Sequence, residues 1–116
     1  MYKRPARLLV AALTDDGRAR LVERFARRPV LAQWLEVRSA ASMHRLDATD
    51  LEWADLLVAV DDAAARAFPR ERPATCQLRR WRLPAAGVPG VEAAAASALN
   101  CIVGGMRMLA RMDAAD

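Results

Sequence analysis

Leu8-Leu9-Val10-Ala11-Ala12-Leu13-Thr14-Asp15-Asp16-Gly17-Arg18 changes character twice within a short span. The apolar run shows no polar alternation, which is the pattern of a strand buried on both faces, as in a parallel sheet. Thr14-Asp15-Asp16-Gly17 then breaks the run and offers side-chain oxygens of the kind that start helices. From Arg18 onward Leu21, Val22 and Phe25 recur at helical spacing as far as Arg27-Arg28-Pro29, where proline ends the helix. Strand, polar loop and helix in this order form the first half of a βαβ unit.

The remainder of the chain repeats the alternation. Trp34-Leu35-Glu36-Val37-Arg38-Ser39 is half polar, with Leu35 and Val37 set against Glu36 and Arg38, so it predicts a strand with one exposed face or an edge position. Residues 47–54 predict a short helical turn started by an acidic or hydroxyl side chain. Leu56-Leu57-Val58-Ala59-Val60 is the second wholly apolar strand, and Asp61-Asp62 cap a helix over 63–68 that Pro69 stops. Residues 75–83 predict an Arg-laden fourth strand ahead of Pro84. After the turn at Gly87-Val88-Pro89-Gly90, a long helix runs to about Met112, with Leu99, Ile102, Val103, Met106 and Ala110 along its apolar stripe. Gly104 and Gly105 disfavour that helix by about 1 kcal/mol each, so close packing on the sheet is expected there. With right-handed crossovers, the order β-α-β-α-β-α-β-α gives a three-layer α/β/α domain around a four-stranded parallel sheet. Any site should lie at the carboxyl ends of the strands: 13–18, 39–43, Asp61-Asp62 and 84–87.

The whole chain of 116 residues reads as one compact domain, 1–116, with no repeat or linker. A hydrophobic share of 54% with 28% charged residues excludes bulk disorder. Arg107 interrupts the apolar C-terminal segment, which argues against a membrane span. The apolar run behind the basic Met-Tyr-Lys-Arg-Pro-Ala-Arg stops at Asp15 and Asp16, too soon for a signal peptide, so a soluble cytoplasmic protein is expected. The net charge is +4, with Lys3 the sole lysine. The densest basic cluster is Arg79-Arg80-Trp81-Arg82, with Arg70 and Arg72 upstream. No RNA-recognition motif, zinc finger or GxxG clamp accompanies it, and only 5% of residues are aromatic. A solvated or partner-facing patch is therefore favoured over nucleic-acid binding. Cys76 and Cys101 lack CxxC spacing, so both are expected to be reduced core thiols.

Taken together, residues 8–23, Leu35-Glu36-Val37-Arg38-Ser39-Ala40 and Leu51-Glu52-Trp53-Ala54-Asp55-Leu56-Leu57-Val58-Ala59-Val60-Asp61 resemble the low-molecular-weight protein tyrosine phosphatases. The first stretch matches that family's first strand, loop and helix. The second matches a strand ending in Ser-Ala-Gly, and the third a Trp-Ala-Asp-Leu-Ile run leading to Val-Met-Asp. Trp81-Arg82-Leu83-Pro84 falls where the family has an Ile-Pro-Asp-Pro-like turn. The resemblance implies a flavodoxin-like sheet. It also implies a phosphate-binding loop in which a thiolate attacks phosphorus, an Arg holds the phosphoryl oxygens, and a distant Asp protonates the leaving group.

The family residues are missing at the decisive positions. With Arg18 in the place of the loop Arg, the nucleophile position falls on Ala12, and Ala19 replaces the Ser that follows the Arg. The general acid and its proline fall on Ala85 and Ala86. A methyl group cannot form a phosphoenzyme, so no catalytic residue is assigned. The remaining loop positions are Leu13, Thr14, Asp15, Asp16 and Gly17. Carboxylates at 15 and 16 would repel a dianion. They are expected to cap the helix or to pair with Arg18 or Arg20, leaving open whether Arg18 still senses a small anion.

A sharper alternative joins Asp15 and Asp16 to Asp61 and Asp62 as a Mg²⁺ or Ca²⁺ or phospho-acceptor pocket, which resembles the acidic pocket of response-regulator receivers. The Lys that such a pocket needs at the end of the fourth strand is missing. A residual phosphatase with an unrecognised nucleophile is the other alternative. His44 has no nucleophile to serve and is expected at the surface or packed in a loop. Ser39 and Thr14 have no neighbouring base in the sequence. Trp34, Trp53 and Trp81 are expected in the core or at its rim, with Trp81 a candidate anchor for a partner. The expectation is an inactive phosphatase-like interaction or regulatory domain with a protein partner, no cofactor and no membrane contact.

Overall fold

The structure, a computed structural model, describes residues 5–40, 42–68 and 77–115, with side chains described as far as Met106. Strand β1 (Ala6–Ala11) pairs in parallel with β2 (Leu35–Ser39) on one side and β3 (Leu56–Ala59) on the other. Strand β4 (Gln77–Arg80) pairs in parallel with β3. The sheet order is β2-β1-β3-β4, the flavodoxin-like winding. Position in the sheet explains composition. The interior strands β1 and β3 are the apolar runs, whereas the two edges hold the exposed Glu36, Arg38, Arg79 and Arg80.

Helices cover both faces because successive side chains of a strand point to opposite sides. Leu8, Val10 and Ala12, with Val58 and Val60, face α1 (Arg18–Ala26), α2 (Pro29–Ala32) and α5 (Val91–Ala115). There Val22, Leu31, Leu99 and Val103 complete the first core layer. Leu9, Ala11, Leu57 and Ala59 face the opposite way, against the 3₁₀ turn Met43–Arg45, α3 (Ala48–Trp53) and α4 (Asp62–Arg66). Met43, Leu51, Ala64 and Phe68 complete that second layer. No helix among the described residues is long and apolar enough to cross a membrane.

Local chemistry sets the element ends. Asp47 caps α3 by accepting the Asp50 N–H at 2.9 Å, while the Asp50 carboxylate accepts the Asp47 N–H at 3.1 Å. Asp61 caps α4 through the Ala64 N–H at 2.8 Å, and Asp62 is the first helical residue rather than a second cap. Pro29 ends α1 but also opens α2, a short helix that the sequence reading did not contain. The strands are shorter than expected. β1 stops at Ala11, after which the Ala12 carbonyl accepts the Met43 N–H instead of a strand partner. The expected start of β4 at Thr75 and Cys76, and the stop at Pro69, lie outside the described residues.

Two expectations for α5 fail. Cys101 is exposed rather than a core thiol, because the buried stripe runs Val91, Ala95, Leu99 and Val103, and Cys101 stands about 200° around the helix from Leu99. Gly104 and Gly105 do not pack closely on the sheet: both are exposed, and a Cβ at either would meet nothing within 4 Å.

Candidate functional site

In a sheet of this order the crevice opens where β1 and β3 send their connections in opposite directions, outside the strand carboxyl ends. Three connections meet there: 12–17 after β1, Val60-Asp61 after β3, and the segment from Trp81 that leads to α5. Val60 N–H donates to the Ala11 carbonyl at 3.2 Å and Leu83 N–H to the Val60 carbonyl at 2.8 Å, which stitches the three together.

Arg18 is at the centre and is the buried charged residue of the described core, 8% exposed. Its Nε donates to Asp16 Oδ2 at 2.8 Å, and one terminal nitrogen lies 2.7 Å from both Asp16 Oδ2 and Asp61 Oδ2. The other terminal nitrogen donates to the carbonyls of Leu83 at 3.4 Å and Pro84 at 3.3 Å. All three guanidinium nitrogens are thus engaged by the protein itself. Gly17, at φ 92° where a side chain would be strained, turns the chain into α1. That turn lets Asp16 Oδ1 accept the Arg18 N–H at 3.1 Å while its other oxygen holds the guanidinium.

The electrostatics follow from the geometry. Burial pulls the Arg18 pKa down, but the hydrogen bonds and charges of Asp16 and Asp61 outweigh it and raise it above the ordinary arginine value. For Asp61, burial pushes upward, and the Ala64 N–H, the Arg18 hydrogen bond and charge, and the Ala63 N–H overcome it. Its carboxyl titrates below the ordinary 3.8. One cation against two carboxylates leaves the cluster net negative.

Residues singled out in the sequence are distributed as follows. Ala12 is buried at the end of β1, and Ala19 is buried in the first turn of α1. Leu13 is half-buried, and Thr14 and Asp15 are exposed. Ala85, next to the Pro84 carbonyl that Arg18 holds, is exposed, as is Ala86. The four acids do not converge. Asp16 and Asp61 share Arg18, Asp15 pairs with Arg20 at 3.0 Å, and Asp62 lies 3.7 Å from Arg80. Among the described residues no group of three His, Cys, Asp or Glu side chains is placed to hold a metal ion. His44 is exposed, and Trp34 and Trp81 are half-buried against the first core layer, Trp53 against the second. Ser39 does have a carboxylate neighbour: its hydroxyl donates to Glu23 at 2.9 Å, tying β2 to α1.

The sequence pairs Arg18 with Asp15 or Asp16 and gives Asp61 a helix-capping role, with metal binding as an alternative; Asp61 as the second counter-ion of Arg18 is not legible in it. The available signal was the adjacency of the two apolar strands, which brings Asp61 beside the loop after β1. Two surface hollows, of about 240 and 390 Å³, lie elsewhere, along Leu21, Phe25 and Arg28 and along Pro5, Leu35 and Val37. Neither is lined by Arg18 or Asp61. The fold and site define a flavodoxin-like parallel α/β domain whose strand-end crevice holds an internal Asp-Arg-Asp cluster. Neither a search against models of known protein families nor a search of curated proteins gives a match to this chain.

Proposed function

We propose that the chain is a catalytically inert, phosphatase-like domain that works as a cytoplasmic interaction or regulatory module. The observation that carries this reading is the engagement of Arg18 by Asp16, Asp61 and two carbonyls. Two carboxylates occupy the guanidinium face that a phosphoryl group would need, so a dianion must displace both and enter a net negative cluster. Two N–H groups of the loop are also used internally: Asp16 N–H donates to the Thr14 carbonyl at 2.9 Å and Arg18 N–H to the Asp16 carboxylate. At the positions that the family resemblance gives to nucleophile and acid stand the methyl groups of Ala12 and Ala85. Arg18 then serves as a structural tie among three connections rather than as an anion ligand.

The test is hydrolysis of p-nitrophenyl phosphate by the full chain, with and without chelator, together with thermal melts in orthophosphate. No turnover and no phosphate-dependent melting shift are expected. Chelator-insensitive turnover would overturn the inert reading. A Mg²⁺-dependent rise in melting temperature, lost in Asp61→Ala, would replace it with the metal module.

A further inference from the structure

The two edges of the sheet differ in a way that the Arg18 site does not explain. On β2 the outward charges are balanced: Arg38 lies 3.9 Å from Glu36 and stacks 4.1 Å above the Trp53 ring. Among the described residues the β4 edge carries a single ion pair for its three Arg. Gln77-Leu78-Arg79-Arg80-Trp81-Arg82 holds three Arg and no acid. Arg79 and Arg82 are exposed and make no ion pair among the described residues. Among the described residues Arg80, 60% exposed, pairs only with Asp62, at 3.7 Å.

The backbone of this edge is open as well. Gln77 N–H donates to the Asp55 carbonyl and Trp81 N–H to the Ala59 carbonyl, so residues 77, 79 and 81 address β3. By the alternation of a parallel ladder, the N–H and C=O groups of Leu78 and Arg80 point away from the sheet. Among the described residues no strand pairs with them. Successive side chains alternate across the sheet, so Arg79 stands on the face of the first core layer and Arg80 on the other. A segment added beside β4 would therefore meet a cation on each face, with half-buried Trp81 at its end.

We propose that the β4 edge is a docking site for an extended acidic peptide segment of a partner protein, added to the sheet as a fifth strand. Main-chain hydrogen bonds to Leu78 and Arg80 supply the pairing, and carboxylates opposite Arg79, Arg80 and Arg82 supply selectivity. Charge decides against a second copy of the same edge, because like cations directly opposite each other repel. It also decides against apolar strands, which would leave the guanidinium groups unpaired. The aromatic ring within the cluster, Trp81, packs half-buried against the first core layer rather than standing free as a stacking platform, which favours a peptide over a nucleic acid. The edge uses neither Arg18 nor the groups that hold it, so this inference stands or falls apart from the inert-site reading.

The test measures binding, by fluorescence anisotropy, of a short fluorescein-labelled peptide of Glu-Glu pairs separated by single Val residues, which places carboxylates on both faces of a strand, to the full chain. Controls are an equally charged peptide with Pro in place of Val and a single-stranded DNA of similar length. The Glu-Val peptide is expected to bind and to weaken by roughly tenfold or more with Arg79→Glu/Arg82→Glu, where attraction becomes repulsion on both faces. Hydrogen exchange at the Leu78 and Arg80 amides is expected to slow when the peptide binds. Equal binding of the proline peptide would reduce the site to unspecific charge and overturn strand addition. Tighter binding of DNA, no binding at all, or Leu78 and Arg80 amides already protected in the free chain would each overturn the proposal. None of these outcomes bears on p-nitrophenyl phosphate turnover, so the two readings fail separately.

Discussion

Arg18 carries one charge against the two of Asp16 and Asp61, and the side chains of these acids are about a quarter exposed, at 25% and 27%. Replacing Arg18 with Met preserves much of the stem packing but leaves two carboxylates facing each other with no cation between them. Breaking a buried pair by removing one partner typically costs about 3–5 kcal/mol, and partial solvent access places Arg18→Met near the lower end. Urea unfolding should show a lower midpoint, and the double variant Arg18→Met/Asp61→Asn should recover part of the loss by removing one stranded charge. An unchanged midpoint in Arg18→Met would contradict the role of the cluster as a structural tie. This residue-level arrangement was half legible. Asp16 sits two positions from Arg18 in the chain, so their pairing is a local matter; Asp61 is distant in sequence and becomes a neighbour only through sheet pairing.

Helix α5 shows the same division between local and distant information. Its apolar stripe, with Leu99 and Val103 inward, follows from spacing alone. The glycines in its middle did not follow. A Gly pair within a helix has two physical readings, close approach of another backbone or plain tolerance at an exposed position, and the sequence offers no means to choose. Open space around both residues selects the second. Gly105→Ala should therefore stabilise the chain by about 0.5–1 kcal/mol, through helix propensity and a less flexible unfolded state. A raised urea midpoint with unchanged slope is the expected result, and destabilisation would reveal a contact on that side of the helix. The exposed Cys101 was misread for a related reason: free cysteine is among the most buried residue types on average, but the helix angle from Leu99 places this one outward.

At the scale of the whole molecule, charge balance links the site to global stability. The net charge of +4 at pH 7 rests on 18 Lys and Arg against 14 Asp and Glu. Acid removes the 14 negative charges and leaves the basic ones repelling each other. Asp61 adds a specific contribution of known sign. Its carboxyl titrates lower in the fold than the ordinary 3.8, so the unfolded chain binds a proton more readily than the folded one. The stabilisation is present in full above that ordinary value and is lost as pH falls through the depressed folded one. Stability should be flat near neutrality and fall below about pH 4. Asp61→Asn should lessen that acid dependence, and far-ultraviolet circular dichroism along an acid titration of both chains would measure it. An identical slope in the variant would remove Asp61 from the acid response.

The sequence by itself determined the sheet. Two uninterrupted apolar runs require burial on both faces, the mixed runs can stand only where one side meets solvent, and helix-period segments between them leave a parallel α/β winding as the arrangement that buries all of them. Periodicity and burial are properties of each segment, so they can be read one segment at a time. Only the tertiary structure decided which carboxylates neutralise Arg18, that Asp15 and Asp62 pair elsewhere, and that among the described residues the β4 edge has a single ion pair for its three Arg. These outcomes depend on distances between side chains brought together by strand order. Electrostatic and hydrogen-bond energies change within a few ångströms. A linear chain specifies which groups can meet, and the packed fold fixes which of them do.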